Sequence, residues 1–416
     1  MRKFLSLALC LMPLPAFATP SQVGPEPGLP DPAAVAQALA SHPGVEAANA
    51  RTRAAEAEVR VLERGPYDYQ LQTSYNRRSI VQESVFDEFE AQLTKGVRWP
   101  GKVRLDREIG QYGLTAQKNR AEDTRHQTAL MLADYWWAWL AAAGEAEVDR
   151  QSVANYQTLL SAVKRRVELR DASVLEADQT VAALEAARLA AERSSGREKV
   201  ARSRLQAQFP AMTLPEHPEA IPMPHEPDGG LTHLRDLVFA RSHEIAAAEA
   251  TANMAEASAE RARADRIPDP QVGFRVFSDK GGIERGAGLI LIMPIGNGRR
   301  SALADQAGAN AAAAGAELQA VRRTLQETAD SDLAGAQAAL HAWERADASR
   351  RAQDAALVKV RRGFQAGALD LSELLLAERQ TQDAARAESI ARADAHAAIT
   401  RLRIDSHHLW IGDDED

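Results

Sequence analysis

Between Tyr67 and Asn76 the chain alternates strictly: odd positions carry Tyr67, Tyr69, Leu71, Thr73 and Tyr75, even positions Asp68, Gln70, Gln72, Ser74 and Asn76. Side chains of a strand point alternately to its two faces, so this pattern predicts a strand over about 66–78 with one apolar and one wet face. Phe89, Ala91, Leu93, Val97 and Trp99 alternate with Glu88, Glu90, Gln92, Thr94 and Arg98, predicting a second strand over about 86–99 that ends at Pro100-Gly101. Lys95 breaks its apolar side and is expected near an interface. A second pair follows later. Val272, Phe274 and Val276 alternate with Gly273 and Arg275 (about 270–278), Asp279 to Gly282 supply turn residues, and the apolar run Gly286 to Met293 (about 285–294) stops at Pro294.

The rest of the pattern is helical. No proline occurs from Gly101 to Phe209 or from Ile295 to the C-terminus. Proline inside a helix costs about 3 kcal/mol, so both stretches are free to be helical. Leu105, Ile109, Tyr112 and Ala116 step by four and three, as do Tyr156, Leu160, Val163 and Val167, and likewise Leu318, Val321, Leu325 and Thr328. That spacing marks a coiled-coil seam. A helix from Lys102 to about Val167 would be roughly 100 Å long, taller than any globular domain, and demands a projecting rod or tube. A shorter Ala/Glu/Arg helix, started at Asp31-Pro32 or at Ser41 to Pro43, runs to about Arg64.

The chain repeats itself. Ala38–Ala57 aligns without a gap on Val238–Ala257, matching Ala55-Glu56-Ala57 to Ala255-Glu256-Ala257, and Arg166–Glu176 falls on Gly363–Glu373. The order of elements repeats as well, a sign of duplication. The expected organisation is a leader (1–18), an extended segment (19–30), a first repeat (31–209), a Pro-rich connector (210–230), a second repeat (231–405) and an acidic tail (406–416) ending in Asp413-Asp414-Glu415-Asp416.

Composition and the N-terminus narrow the function. Arg2 and Lys3, an apolar stretch from Phe4 to Leu14 and Ala16-Phe17-Ala18 before Thr19 form a secretory signal peptide, too short for a spanning helix. The single cysteine, Cys10, lies inside it, so the exported chain would carry no thiol. Aromatics make up 5% of a chain dominated by alanine, which suits close-packed long helices rather than a bulky core. The net charge of −8 argues against a nucleic-acid partner.

No candidate chemistry emerges. Gly281-Gly282 and Gly296-x-Gly298 lack the lysine-serine or lysine-threonine pair of a phosphate loop, and no nucleophile–base set or cofactor motif is present, so an enzyme is not expected. His407-His408, and His217, His225 and His233 with Glu226, lack zinc-ligand spacing and are expected in flexible, solvated segments; no metal site is assigned. Trp136, Trp137 and Trp139 are expected to pack between helices, only one or two of them sharing a face.

After the leader there is no run of 18 apolar residues, so a membrane could be crossed only by strands. Four strands of about ten residues are long enough when tilted, but four cannot close a barrel, and open edges are not viable in lipid. Sharing strands among copies solves this: three chains would supply twelve. Tyr67, Tyr69, Tyr75, Trp99, Phe274 and Phe277 would then form aromatic girdles. The alternative is a periplasmic coiled-coil adaptor or spacer without a pore, which should show one helical hairpin rather than two.

At three places the chain resembles the TolC family of outer membrane factors, most closely the heavy-metal efflux branch (cobalt-zinc-cadmium or copper-silver type). Val97-Arg98-Trp99-Pro100-Gly101-Lys102 and Met293-Pro294-Ile295-Gly296-Asn297-Gly298-Arg299-Arg300 are similar to that branch's strand-to-helix junctions, which fall at Pro100, Gly101, Pro294 and Gly296. The run Arg362 to Glu378 resembles its turn at the periplasmic helix tip. The likeness covers essentially the whole exported chain. In the first-half tip Arg170 stands where the family usually has glycine.

The resemblance implies a mainly α protein with a small β part: a homotrimer with a twelve-stranded β-barrel in outer membrane lipid and a coiled-coil helical tunnel in the periplasm. It implies as partners a periplasmic adaptor (membrane fusion protein) and an inner-membrane pump, proton-driven in the first reading and ATP-driven in the alternative, with metal cations as cargo; drugs or secreted proteins are the other cargo. By the same likeness Glu373, Asp370, Gly367 and Glu176 lie at the narrowing tip, where carboxylate rings would select cations. The other reading of these glutamates is a helix start, where negative charge suits the dipole.

Overall fold

The computed structural model describes residues 26–296 and 298–411. The expected leader 1–18 with Cys10, residues 19–25, Asn297 and residues 412 to 416 of the expected tail lie outside the described residues.

Asp31 caps α1 (Pro32–Ala40), its carboxylate accepting from Ala34 N–H at 3.0 Å, and α2 (Pro43–Arg64) follows. Next come β1 (Tyr69–Ser79), β2 (Val85–Gly96), α3 (Pro100–Glu168) and α4 (Val174–Gln208). After the connector the order recurs as α5 (Leu231–Ala240), α6 (His243–Ala264), β3 (Gln271–Asp279), a 3-10 turn (Lys280–Gly282), β4 (Glu284–Ile292), α7 (Gly298–Gln365) and α8 (Leu371–Asp405). The halves match closely in length: α3 and α7 have 69 and 68 residues, α4 and α8 have 35 each. At 1.5 Å per residue the two long helices are about 100 Å tall.

α2 and α6 lie along the strand-proximal parts of α3 and α7, while α4 and α8 return along the distal parts, so two hairpins build the rod. Alanine permits the closeness. Ala116, Ala129, Ala259, Ala329, Ala336 and Ala395 are fully or almost fully buried. Among the described residues, no helix is long and apolar enough to cross a membrane.

The bulkiest packing sits at the waist, where Val35, Leu39, Leu132, Trp139, Leu205, Phe209 and Ile404 share one cluster. Three segments singled out in the sequence meet here. The Pro-rich connector is no bare spacer: Met212, Leu214 and Ile221 are buried in this cluster. The start of the acidic tail is docked, with Ser406, His407 and Ile411 buried. All three tryptophans are buried because partners surround α3 on several sides. Trp136 Nε1 donates to Gly28 O (2.8 Å), Trp137 Nε1 donates to Thr400 Oγ1 (3.0 Å) and stacks on His396, and Arg202 lies over the Trp139 ring.

Candidate functional site

The four strands form one antiparallel sheet in the order β1-β2-β3-β4. Its register sorts the side chains. Tyr69 pairs with Lys95 and Lys95 with Val272; Leu71 with Leu93, Leu93 with Phe274 and Phe274 with Leu289; Tyr75 with Phe89. Directly opposed residues share a face, so one face is apolar across the sheet. It has no partner: Tyr69, Leu71, Phe274, Leu291 and Leu289 are exposed, the last to 94%. The other face carries Gln72, Gln92 and Arg275 in one row and Ser74 and Glu90 in the next. Gln92 Nε2 donates to Gln72 Oε1 at 2.5 Å, and Arg275 pairs with Glu90 at 2.8 Å. β1 and β4 each pair on one side only, leaving two open edges.

Three girdle assignments change. Phe277 pairs with Glu90 and Gly286, so it lies on the polar face, opposite to Phe274. Arg275 sits over its ring at 5.1 Å. Tyr67 and Trp99 lie outside the strands, at the foot of the sheet. The Tyr67 ring covers Gly96, where any Cβ would come within 2.4 Å of it, and its hydroxyl donates to Asp269 Oδ2 at 3.0 Å. Trp99 is the N-cap of α3 and its Nε1 donates to Pro268 O at 3.1 Å. β2 therefore ends at Gly96, short of the expected Trp99. Tyr69, Tyr75 and Phe274 stay on the apolar face, and Lys95 is held over the Tyr69 ring at 4.4 Å.

The two strand-to-helix junctions differ. At the first, Pro100 is the opening residue of α3, where its missing N–H costs nothing. Gly101 makes no close approach. Arg98 donates to the last carbonyls of α2, Leu62 O (2.7 Å) and Glu63 O (2.6 Å), and pairs with buried Asp106, which Arg261 holds from the other side at 2.6 Å. Lys102 Nζ reaches Ile267 O (2.7 Å), Asp265 (2.8 Å) and Asp269 (2.9 Å). Burial works to raise the Asp265 pKa, but Arg261 and Lys102 outweigh it and hold the carboxyl below its ordinary range. Past Pro294, the second junction turns through Gly296 at φ 114°, whose carbonyl accepts from Arg300, and Ile295 is wholly exposed.

At the far end both hairpins turn in the same way. Asp171 N–H donates to Arg166 O (2.8 Å) and Arg170 N–H to Val167 O (3.0 Å); in the second half Ala368 N–H donates to Gly363 O (2.9 Å) and Gly367 N–H to Phe364 O (3.1 Å). This is the Schellman arrangement, which needs a left-handed residue after the helix. Gly367 has φ 75° and Arg170 has φ 62°. The departure at Arg170 leaves the turn unchanged.

Ser173 and Asp370 then start the return helices, each in a capping box with Glu176 or Glu373. Glu373 accepts from Asp370 N–H (3.1 Å), and Asp370 accepts from Glu373 N–H (2.9 Å). Within one chain these carboxylates therefore serve as helix starts. Leu169, Val174, Leu175 and Leu376 stand exposed around them.

One cluster escaped the sequence reading. Asp123 and His126 of α3 meet Glu244 of α6, and Asp405, the last residue of α8, lies behind His126. Asp123-x-x-His126 is a readable helical spacing, but its partners arrive from far along the chain. His407, expected to be solvated, is buried between His126 and His243, with ring centroids 5.6 and 4.9 Å away. His217, His225, His233 and His408 are exposed as expected. Burial would depress His126, but the hydrogen bond and charge of Asp405, with Glu244 and Asp123, bring its pKa above the ordinary value. Burial, then Glu244, raises Asp123. Burial and the facing Asp405 carboxylate push Asp332 up to about 6.

No protein-family model and no curated protein matches this chain. Solved structures do. The outer-membrane channel OprN matches at a TM-score of 0.77 and 18% identity, over 91% of this chain and 90% of that one. The outer membrane protein VceC of Vibrio cholerae matches at 0.73 and 17%, over 91% and 95%. The open state of the MtrE outer membrane channel of Neisseria gonorrhoeae matches at 0.72 and 17%, over 92% and 90%. The chain has the fold of the TolC-like outer membrane channels.

Proposed function

We propose that this chain is the outer membrane channel subunit of a tripartite efflux system, a passive duct that works as a homotrimer. The observation that carries this reading is the sheet: one face apolar and uncovered, the other polar, and both edges open. In water such a face would aggregate, and in lipid the open edges would leave backbone groups unpaired. Both problems vanish if β1 of one copy pairs with β4 of the next until the ring closes, with the apolar face toward lipid and the polar face toward a wet lumen. Strands of 9 to 12 residues are long enough to span a tilted barrel wall. Tyr69, Tyr75 and Phe274 would sit among the lipid headgroups, with Tyr67 and Trp99 at the foot of the wall.

The rod then extends the lumen through the periplasm. Its tips, with the exposed Leu169, Val174, Leu175 and Leu376, would meet a periplasmic adaptor, and the adaptor a proton-driven inner-membrane pump that supplies the energy. Metal cations are the proposed cargo, a reading supported by the likeness of the two junction motifs to the heavy-metal branch.

The test is reconstitution. Detergent-purified protein should run as a heat-modifiable trimer and give discrete conductance steps in a planar bilayer. A monomer that stays soluble without detergent and shows no conductance would sink the proposal.

A further inference from the structure

Rather more than a third of the way down α3 from the sheet, three ligating side chains converge that neither the barrel wall nor the tips employ. Asp123 and His126 lie three apart on α3 and so share a face, and Glu244 comes from the first turn of α6. One ligand atom from each lies within 4.8 Å of the others.

The imidazole is oriented from behind. His126 Nε2 is 2.9 Å from Asp405 Oδ1, and both side chains are more than nine-tenths buried. A carboxylate only accepts, so Nε2 carries the proton, and a cation displacing the proton of Nδ1 would find that nitrogen facing Glu244 Oε1, 3.8 Å away. A carboxylate fixing the tautomer of a histidine whose other nitrogen faces further carboxylates is how proteins prepare a metal ligand. Glu244 is fixed too: Ser242 Oγ donates to its Oε2 at 2.8 Å, leaving Oε1 for the site.

Charge points the same way. Asp123 and Glu244 bring carboxylate oxygens within 4.8 Å of each other. Behind the site Asp405 Oδ2 is buried and faces the Asp332 carboxyl rather than an N–H or hydroxyl donor. Carboxylates gathered in this way require protons or a cation to balance them. A cavity of about 520 Å3, lined by His126, Glu244 and Asp405 among others, opens beside the group and leaves room for water ligands and an entry path.

We propose that Asp123, His126 and Glu244 bind a divalent transition cation of the zinc class, held at the waist of the rod as a tie between α3 and α6. One imidazole nitrogen with two carboxylate oxygens suits zinc, cobalt or nickel, whereas calcium and magnesium prefer oxygen alone. Bond lengths of about 2.0–2.2 Å would draw the three ligand atoms closer than they now stand, which side-chain rotation accomplishes. This site is a resident one and does not depend on what the duct exports.

The experiment uses the full chain in detergent, stripped with a chelator and dialysed against zinc chloride. Elemental analysis should give one zinc per protomer, cobalt(II) should give a visible d–d spectrum, and zinc should raise the melting temperature. His126→Ala and the milder Glu244→Gln should each lower zinc affinity at least tenfold, and zinc should no longer raise their melting temperatures. Less than half an equivalent in the parent protein overturns the proposal. So does unchanged zinc affinity in a Glu244→Gln protein that keeps its helical circular dichroism, since the zinc would then lie elsewhere, for instance on the exposed histidines.

Discussion

Arg170 holds a backbone conformation that its side chain opposes. At φ 62° its Cβ crowds the following carbonyl, a strain worth roughly 1–2 kcal/mol. The equivalent position in the other hairpin is Gly367, at φ 75° with the same two turn hydrogen bonds. Since the turns are otherwise alike, Arg170→Gly relieves strain without changing the path of the chain. Glycine gives back part of this through its freer unfolded state, so the net gain is about 0.5–1 kcal/mol. Gly367→Ala should lose about 1 kcal/mol for the mirror reason. Melting curves of the two variants in detergent should move in opposite directions; a lower melting temperature for Arg170→Gly would mean that the arginine side chain holds the turn.

At the scale of elements, the junction of β2 with α3 is an ionic knot and that of β4 with α7 is a glycine turn. Arg98, Lys102, Asp106, Arg261, Asp265 and Asp269 join α2, α3 and α6 beneath the sheet. A carboxyl held below its ordinary pKa stabilises the fold above its unfolded value and loses that contribution as pH falls through the folded one. Asp265 is such a group, so the junction should loosen as pH drops below about 4. Asp265→Asn should flatten the acid limb of melting temperature against pH; an unchanged acid limb would place the sensitivity elsewhere.

How much was legible divides along similar lines. The strands and long helices were readable because alternation and proline spacing are local. The displacement of Phe277 was readable too, since it stands three residues after Phe274 and an odd step changes face. What could not be read were meetings across the duplication. Tyr67 leaves the strand to reach Asp269, His407 is buried beside His126 and His243, and Asp123 meets Glu244. Each partner lies far away in sequence and is brought near only where the two repeats pair and pack, β2 on β3 and α3 on α6 and α8.

For the whole molecule, Glu373 is the residue whose surroundings a trimer would change most. Glu373 accepts Asp370 N–H and so completes a helix start. In a trimer the same residue would occur three times around one axis, joined by Asp370 and Glu176 from neighbouring turns, and a ring of carboxylates in a narrowing favours cations. Three charges about 8 Å from a trivalent ion attract it by about 5 kcal/mol in water before salt screening. If a third of that survives screening, block is strengthened about tenfold.

Replacement by alanine would remove cap and charge together. Glu373→Gln separates them, because the amide oxygen still accepts from Asp370 N–H while the charge is gone. If the tip is a cation gate, Glu373→Gln channels in a planar bilayer should be blocked by hexamminecobalt(III) about tenfold more weakly than the parent, with the melting temperature nearly unchanged. Equal block in both would show that Glu373 is a helix start and nothing more. The constriction would then have to be sought at other side chains of the two turns.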